Sequence, residues 1–139
     1  MSLQDDREFA LVGIHIQIRL HSMETDGKLA IIEERVAPGA RSPRHILHVT
    51  AAMYILDGQL TFTRGDSILV PSVDDVIEIP PGMARNVTNN SSREGRFLLI
   101  LAPGGYEQFL QELHHAGSRL GEDPRLIQTI SGRFGVELL

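Results

Sequence analysis

The residues that could carry chemistry in a recognisable pattern here are histidines, an arginine and carboxylates. The chain contains no cysteine, which excludes disulfides, thiol nucleophiles and thiolate metal sites and leaves only His, Asp and Glu as metal ligands. His45 and His48 are the first candidates. Successive residues of a strand face opposite sides of a sheet, so His48 points away from His45 unless a bulge intervenes. Even with a bulge the site would hold two imidazoles and no carboxylate, short of the three protein ligands usual at a catalytic zinc or iron. His48 therefore reads as a surface or interface residue. Glu33 and Glu34 form a carboxylate pair, but as strand neighbours they too face opposite sides, which argues against acid–base cooperation between them. No nucleophile elbow, phosphate loop or Gly-rich dinucleotide fingerprint occurs in the sequence.

These residues sit in a chain of short strands. Leu11 to Leu20 alternates strictly, with Ile14, Ile16, Ile18 and Leu20 on one side and His15, Gln17, Arg19 and His21 on the other, the period of a half-buried strand. Further runs follow at Leu29–Val36, Ile46–Thr50, Ala52–Leu56, Gln59–Arg64, Ile68–Pro71, Val76–Ile79 and Arg96–Leu101, punctuated by Gly, Pro, Asp and Asn. Many short strands at this spacing predict a sandwich, jelly roll or barrel. Asp57-Gly58 between two such runs predicts a hairpin. After Pro103-Gly104-Gly105 the period changes. Tyr106, Phe109, Leu110 and Leu113 make one apolar stripe on a helix ending near Gly117. Asp123 can cap a second short helix, with Pro124 at its first position and Leu126, Ile127 and Ile130 on its buried side. The expected organisation is an N-terminal arm over 1–10, a β-barrel over 11–103 and a helical extension over 104–139 that packs on the barrel or on a partner subunit. Met1-Ser2-Leu3 has the form of a cloning scar and is given no structural weight.

The stretches GARSPRHILHVTAAMYILDG (39–58) and DDVIEIPPGMARNVTN (74–89) resemble the paired motifs of the cupin family. Gly39, His45 and Gly58 fall in register in the first motif, and Pro80, Gly82 and Asn89 in the second. The family's second histidine falls on Leu47, its glutamate on Ala51 and its motif-two histidine on Arg85, while Asp74 replaces the opening glycine. The resemblance spans roughly Val36 to Leu113, because APGGYEQFLQEL is similar to the helix that follows the barrel in bacterial quercetin-dioxygenase-like cupins. It implies an all-β jelly roll, a double-stranded β-helix barrel with two short C-terminal helices, and a homodimer in which the N-terminal strand crosses over. With three of four ligand positions substituted, it supports the fold and not the metal chemistry. In this register Arg85 points into the barrel mouth as an anion hook, His45 supplies a second hydrogen bond, and Leu47, Ala51, Met53, Ile55 and Val87 form the apolar wall of a small-molecule site. The alternative is an internal salt bridge from Arg85 to Asp74, Asp75 or Glu78.

Composition narrows the partners. The 139 residues carry 13 Lys plus Arg against 18 Asp plus Glu, a dispersed and net acidic balance that argues against nucleic acid. No apolar run is long enough to span a bilayer, and the acidic N-terminus is unlike a secretory signal; a cytoplasmic protein is expected. The leading expectation is therefore a cupin with a degenerate metal site that binds a small anionic or aromatic molecule without a cofactor. The alternatives are a metal-dependent dioxygenase or isomerase using Fe, Mn, Ni, Cu or Zn held by His45 and His48, and a structural dimerisation scaffold.

Overall fold

Alternation becomes burial in the strand that follows the first turn. Ile14, Ile16 and Ile18 are each no more than 3% exposed, while His15, Gln17 and Arg19 line the other side. The computed structural model describes residues 6–139. One sheet has six strands, β1 (Glu8–Leu11), β2 (Ile14–Leu20), β3 (Ala30–Val36), β5 (Thr50–Asp57), β8 (Val76–Ile79) and β10 (Gly95–Ala102), in the order β1-β2-β3-β10-β5-β8. The other has five, β4 (His45–Ile46), β6 (Thr61–Arg64), β7 (Ser67–Leu69), β9 (Ala84–Thr88) and β11 (Glu137–Leu138), in the order β11-β4-β9-β6-β7. All pairings are antiparallel. The sheets form a jelly roll whose core joins Ile32, Met53, Ile55 and Leu101 to Phe62 and Val87. Phe62 of β6 meets Phe97 of β10 edge to face at 5.3 Å, an arrangement the ring quadrupoles favour.

The Asp57-Gly58 hairpin is not formed. β5 pairs with β10 and β8, and β6 pairs with β7 and β9, so this turn carries the chain from one sheet to the other. Gly58 adopts φ +80°, and a Cβ there would lie 2.7 Å from both the Glu94 carbonyl oxygen and the Gly95 Cα. The glycine thus answers a close backbone approach at a sheet crossing, whereas a hairpin would need it only for turn handedness. The sheet also begins earlier than the alternation indicates, since β1 lies partly within the expected arm and pairs with β2 of the same chain. β9, which carries Arg85, is absent from the strand-like runs. Asp74, at the family's glycine position, keeps a left-handed φ of +75°, a conformation Asp tolerates better than most residues.

Three helices close one end, α1 (Tyr106–Ala116), α2 (Arg119–Glu122) and α3 (Pro124–Phe134). The one-turn α2 adds to the two expected. Asp123 caps α3 by accepting from the Arg125 N–H at 3.0 Å, with Pro124 in the first turn. Among the described residues no helix is long and apolar enough to cross a membrane.

Gly58→Ala should cost at least ~1 kcal/mol more in urea unfolding than Gly27→Ala. Gly27 has nearly the same φ of +79° but nothing within 4 Å of its added Cβ. Equal losses would show that the backbone approach at the crossing carries no cost.

Candidate functional site

Strands β4 and β9 pair with His45 directly opposite Arg85, and both side chains are buried, at 7% and 4% exposure. The His45 Nδ1 stands 2.9 Å from the Pro43 carbonyl oxygen. A carbonyl only accepts, so the ring proton sits on Nδ1 and Nε2 is left as an acceptor. Arg85 Nε donates to that Nε2 at 3.4 Å. Burial, reinforced by the guanidinium charge, lowers the His45 pKa to about 4, so the ring is neutral at neutral pH. Burial also draws Arg85 below its ordinary value, opposed by Tyr106 and Glu34.

Tyr106, the first residue of α1, roofs the pair. Its ring stacks on His45 with centroids 5.7 Å apart and planes 5° from parallel, and the Arg85 guanidinium lies 5.9 Å from its centroid, within cation–π range. Burial, with a smaller contribution from Glu34, raises the Tyr106 hydroxyl above its usual pKa and keeps it neutral.

Glu34 completes the group, and the motif comparison did not single it out. Glu33 lies on the opposite face of the sheet, buried at 5% exposure beneath Arg19, Arg35 and Arg96 at 3.0, 3.5 and 3.4 Å. Glu34 shares the inward face with Ile32 and Val36 and is buried. Its parity with those two apolar residues is the signal that could have found it. Burial raises its pKa to about 7, with Arg85 holding it lower than burial alone would.

These residues, with Ser42 and Asn86, line a small cavity of about 40 Å³ whose apolar wall includes Met53, Phe62 and Val87, room for a few water-sized groups. Of the expected site residues, His45, Arg85, Met53 and Val87 come together there. Leu47, Ala51 and Ile55 are buried in the core but lie off the wall of this cavity. His48 is exposed and hydrogen-bonded, its Nε2 2.5 Å from the Glu137 carboxylate. Asp74 accepts from the Tyr54 hydroxyl at 2.8 Å, Asp75 accepts from the Ser72 N–H at 2.9 Å, and Glu78 is exposed. Among the described residues no carboxylate lies within ion-pair distance of Arg85, and no group of three or more His, Asp or Glu is placed to hold a metal ion.

Residues 32–101 match the family model described as the cupin domain. No curated protein matches the chain. Similar solved structures include a predicted oxalate decarboxylase from Thermotoga maritima, 17% identical with a TM-score of 0.61 over 65% of this chain and 80% of that one. The polyketide cyclase RemF from Streptomyces resistomycificus is 16% identical with a TM-score of 0.63 over 73% and 77%. An RmlC-like cupin from Shewanella frigidimarina is 17% identical with a TM-score of 0.59 over 75% and 90%. At these identities the likeness is one of fold.

Glu34 and His45 should pull stability in opposite directions with pH. The raised pKa of Glu34 means the native state holds a proton that the unfolded chain has released, so its contribution is full below about pH 4.5 and lost as pH rises through about 7. The lowered pKa of His45 gives a contribution that is full above about pH 6.5 and lost as pH falls toward 4. Urea unfolding between pH 4 and 8 should show the two slopes nearly cancelling in the wild type from about pH 4.5 to 6.5, with Glu34→Gln unmasking a rise with pH and His45→Gln unmasking a decline. Parallel curves for wild type and Glu34→Gln would refute the buried, protonated acid.

Proposed function

We propose that this chain, which belongs to the cupin domain family, uses the position of the family's metal site to bind a small anion, taking a carboxylate on Arg85. The observation that carries the reading is a buried guanidinium that lines a cavity and whose one side-chain hydrogen bond among the described residues is a long one to a neutral imidazole. A buried cation without a close counter-ion is costly, and a planar fork is matched bidentately by a carboxylate. Ser42 and Asn86 on the same wall offer further hydrogen bonds. Protonated Glu34 would donate to the bound anion, whereas ionised Glu34 competes with it for the Arg85 field.

A divalent metal fits these residues poorly. Leu47 and Ala51 supply no donor, Arg85 supplies a positive charge, and the one nitrogen of His45 free to ligate already accepts from that guanidinium. The chemistry of the donor set therefore argues for a degenerate metal site and against a metal-dependent oxygenase or isomerase. The reading requires no reaction. It extends to a homodimer, supported by exposed Ile68, Val70, Val73 and Val76 near the β7 and β8 sheet edges.

Acetate and formate titrated into the protein and followed by amide NMR should perturb residues around Arg85, and Arg85→Gln should weaken both by at least about tenfold. Acetate should bind more tightly at pH 6 than at pH 8, with Glu34→Gln flattening the dependence. An unchanged affinity in Arg85→Gln would end the anion reading. Elemental analysis of protein purified without chelator should find Fe, Mn, Ni, Cu and Zn far below one per chain. A stoichiometric metal that vanishes in His45→Ala would instead establish the metal enzyme.

A further inference from the structure

Beside the anion cavity lies a second, larger one of about 180 Å³. Leu11, Ile14 and Ile16 of the sheet form its floor, Phe109, Leu110 and Leu113 of α1 its roof, and Leu120 and Ile127 of the following helices its far end. Its lining shares Glu34, Ser42, His45 and Tyr106 with the smaller cavity, so the two lie side by side with those four residues as their common wall. Glu34, His45 and Tyr106 are its charged or titratable lining residues, and the remainder of the wall is largely hydrocarbon.

Resting on the reading of Arg85 as an anion-binding group, we infer that the ligand is an amphiphilic monocarboxylate whose head sits at Arg85 and whose apolar body fills the chamber under the C-terminal helices. The wall is mostly Leu, Ile and Phe, with exposed Val12 and Leu138 also in its lining, and an apolar cavity of roughly 150 Å³ holds a benzene-sized guest. This chamber accordingly takes one ring or a chain of about six carbons. The two cavities divide the labour by polarity. A small anion such as acetate engages Arg85 and leaves the apolar chamber unfilled; a neutral apolar molecule fills the chamber and leaves Arg85 without its counter-ion. A diacid of the same length is rejected because its second carboxylate would be buried in hydrocarbon with no cation to meet it.

The test compares acetate, hexanoate, adipate and hexan-1-ol against the full chain by calorimetry and NMR at one pH. Each buried methylene is worth roughly a fourfold gain in affinity, so hexanoate should bind at least about tenfold more tightly than acetate and than adipate. Leu113→Trp should collapse the hexanoate-to-acetate ratio to within about threefold. Leu120→Phe, which fills the chamber from the other end, gives the same reading if the first variant fails to fold. Both leucines are only partly buried, which leaves the larger side chains room to enter. Arg85→Gln should weaken hexanoate by about tenfold. Equal binding of hexanoate and acetate by the wild-type chain overturns this inference and leaves the anion reading standing. Binding of neither carboxylate removes the anion reading itself. Hexan-1-ol bound as tightly as hexanoate, with both indifferent to Arg85→Gln, overturns the two-part ligand.

Discussion

The arrangement of the site rests on a carboxylate that never touches it. Glu107 is fully buried, and its two oxygens accept from the Ser22 N–H at 2.5 Å and the Gly105 N–H at 2.8 Å. A buried carboxylate is tolerated only when such donors replace its water. Here they come from opposite sides of the junction between sheet and helix. His21, also fully buried, adds a second tie to the same helix. Its Nδ1 accepts from the Met23 N–H, so its Nε2 carries the proton and donates to Gln111 Oε1 at 3.0 Å. Gln108 donates to the Ser22 hydroxyl at 2.9 Å. Together these bonds fix α1 in rotation and in height, and Tyr106 follows. A helix held by its apolar stripe alone can rock on greasy contacts; one held by a buried acid has a single setting in which that acid is satisfied.

That setting explains how four polar groups coexist in a β core. Each has its state chosen by a neighbour. The Pro43 carbonyl selects the His45 tautomer, the neutral ring gives Arg85 an acceptor, the Tyr106 face gives it a partial negative charge, and Arg85 moderates the cost of Glu34. The polar groups are concentrated on one side of the interior. Away from them Ile55, Leu60, Ile79 and Leu101 pack as in any hydrocarbon core. A few interior positions thus depart from the apolar pattern without disturbing the sheets that hold them.

Most of the strands were legible because burial on one face writes a two-residue period into the chain. What escaped was non-local or mixed. Ala84-Arg85-Asn86-Val87-Thr88 has too few apolar residues to read as a strand, yet it pairs on both sides because β4 and β6 flank it. Asp57-Gly58 has the composition of a hairpin, and nothing in a dipeptide records which sheet the next strand joins. Leu47, Ala51 and Ile55 were correctly inward, but facing inward does not say whether a residue meets a cavity or another side chain. Glu34 was overlooked by reading it against its sequence neighbour Glu33; reading it against Ile32 and Val36 places it inside. The motif glycines and Asn89 were the most informative residues for the fold and the least for the site. Asn89, fully buried, donates to the Val36 and Arg93 carbonyls and closes a turn.

The helical segment begins with Tyr106 over His45 and ends in β11, which pairs with the strand bearing that same histidine. Leu138 lies opposite His45, Glu137 lies opposite Ile46, and the Leu139 N–H donates to the Arg44 carbonyl at 3.0 Å. The chain therefore leaves the site and returns to it, so mechanical load applied to its last residues is delivered to the strand that aims the imidazole. Strain on Leu138 or Leu139 thus bears directly on hydrogen bonds beside His45.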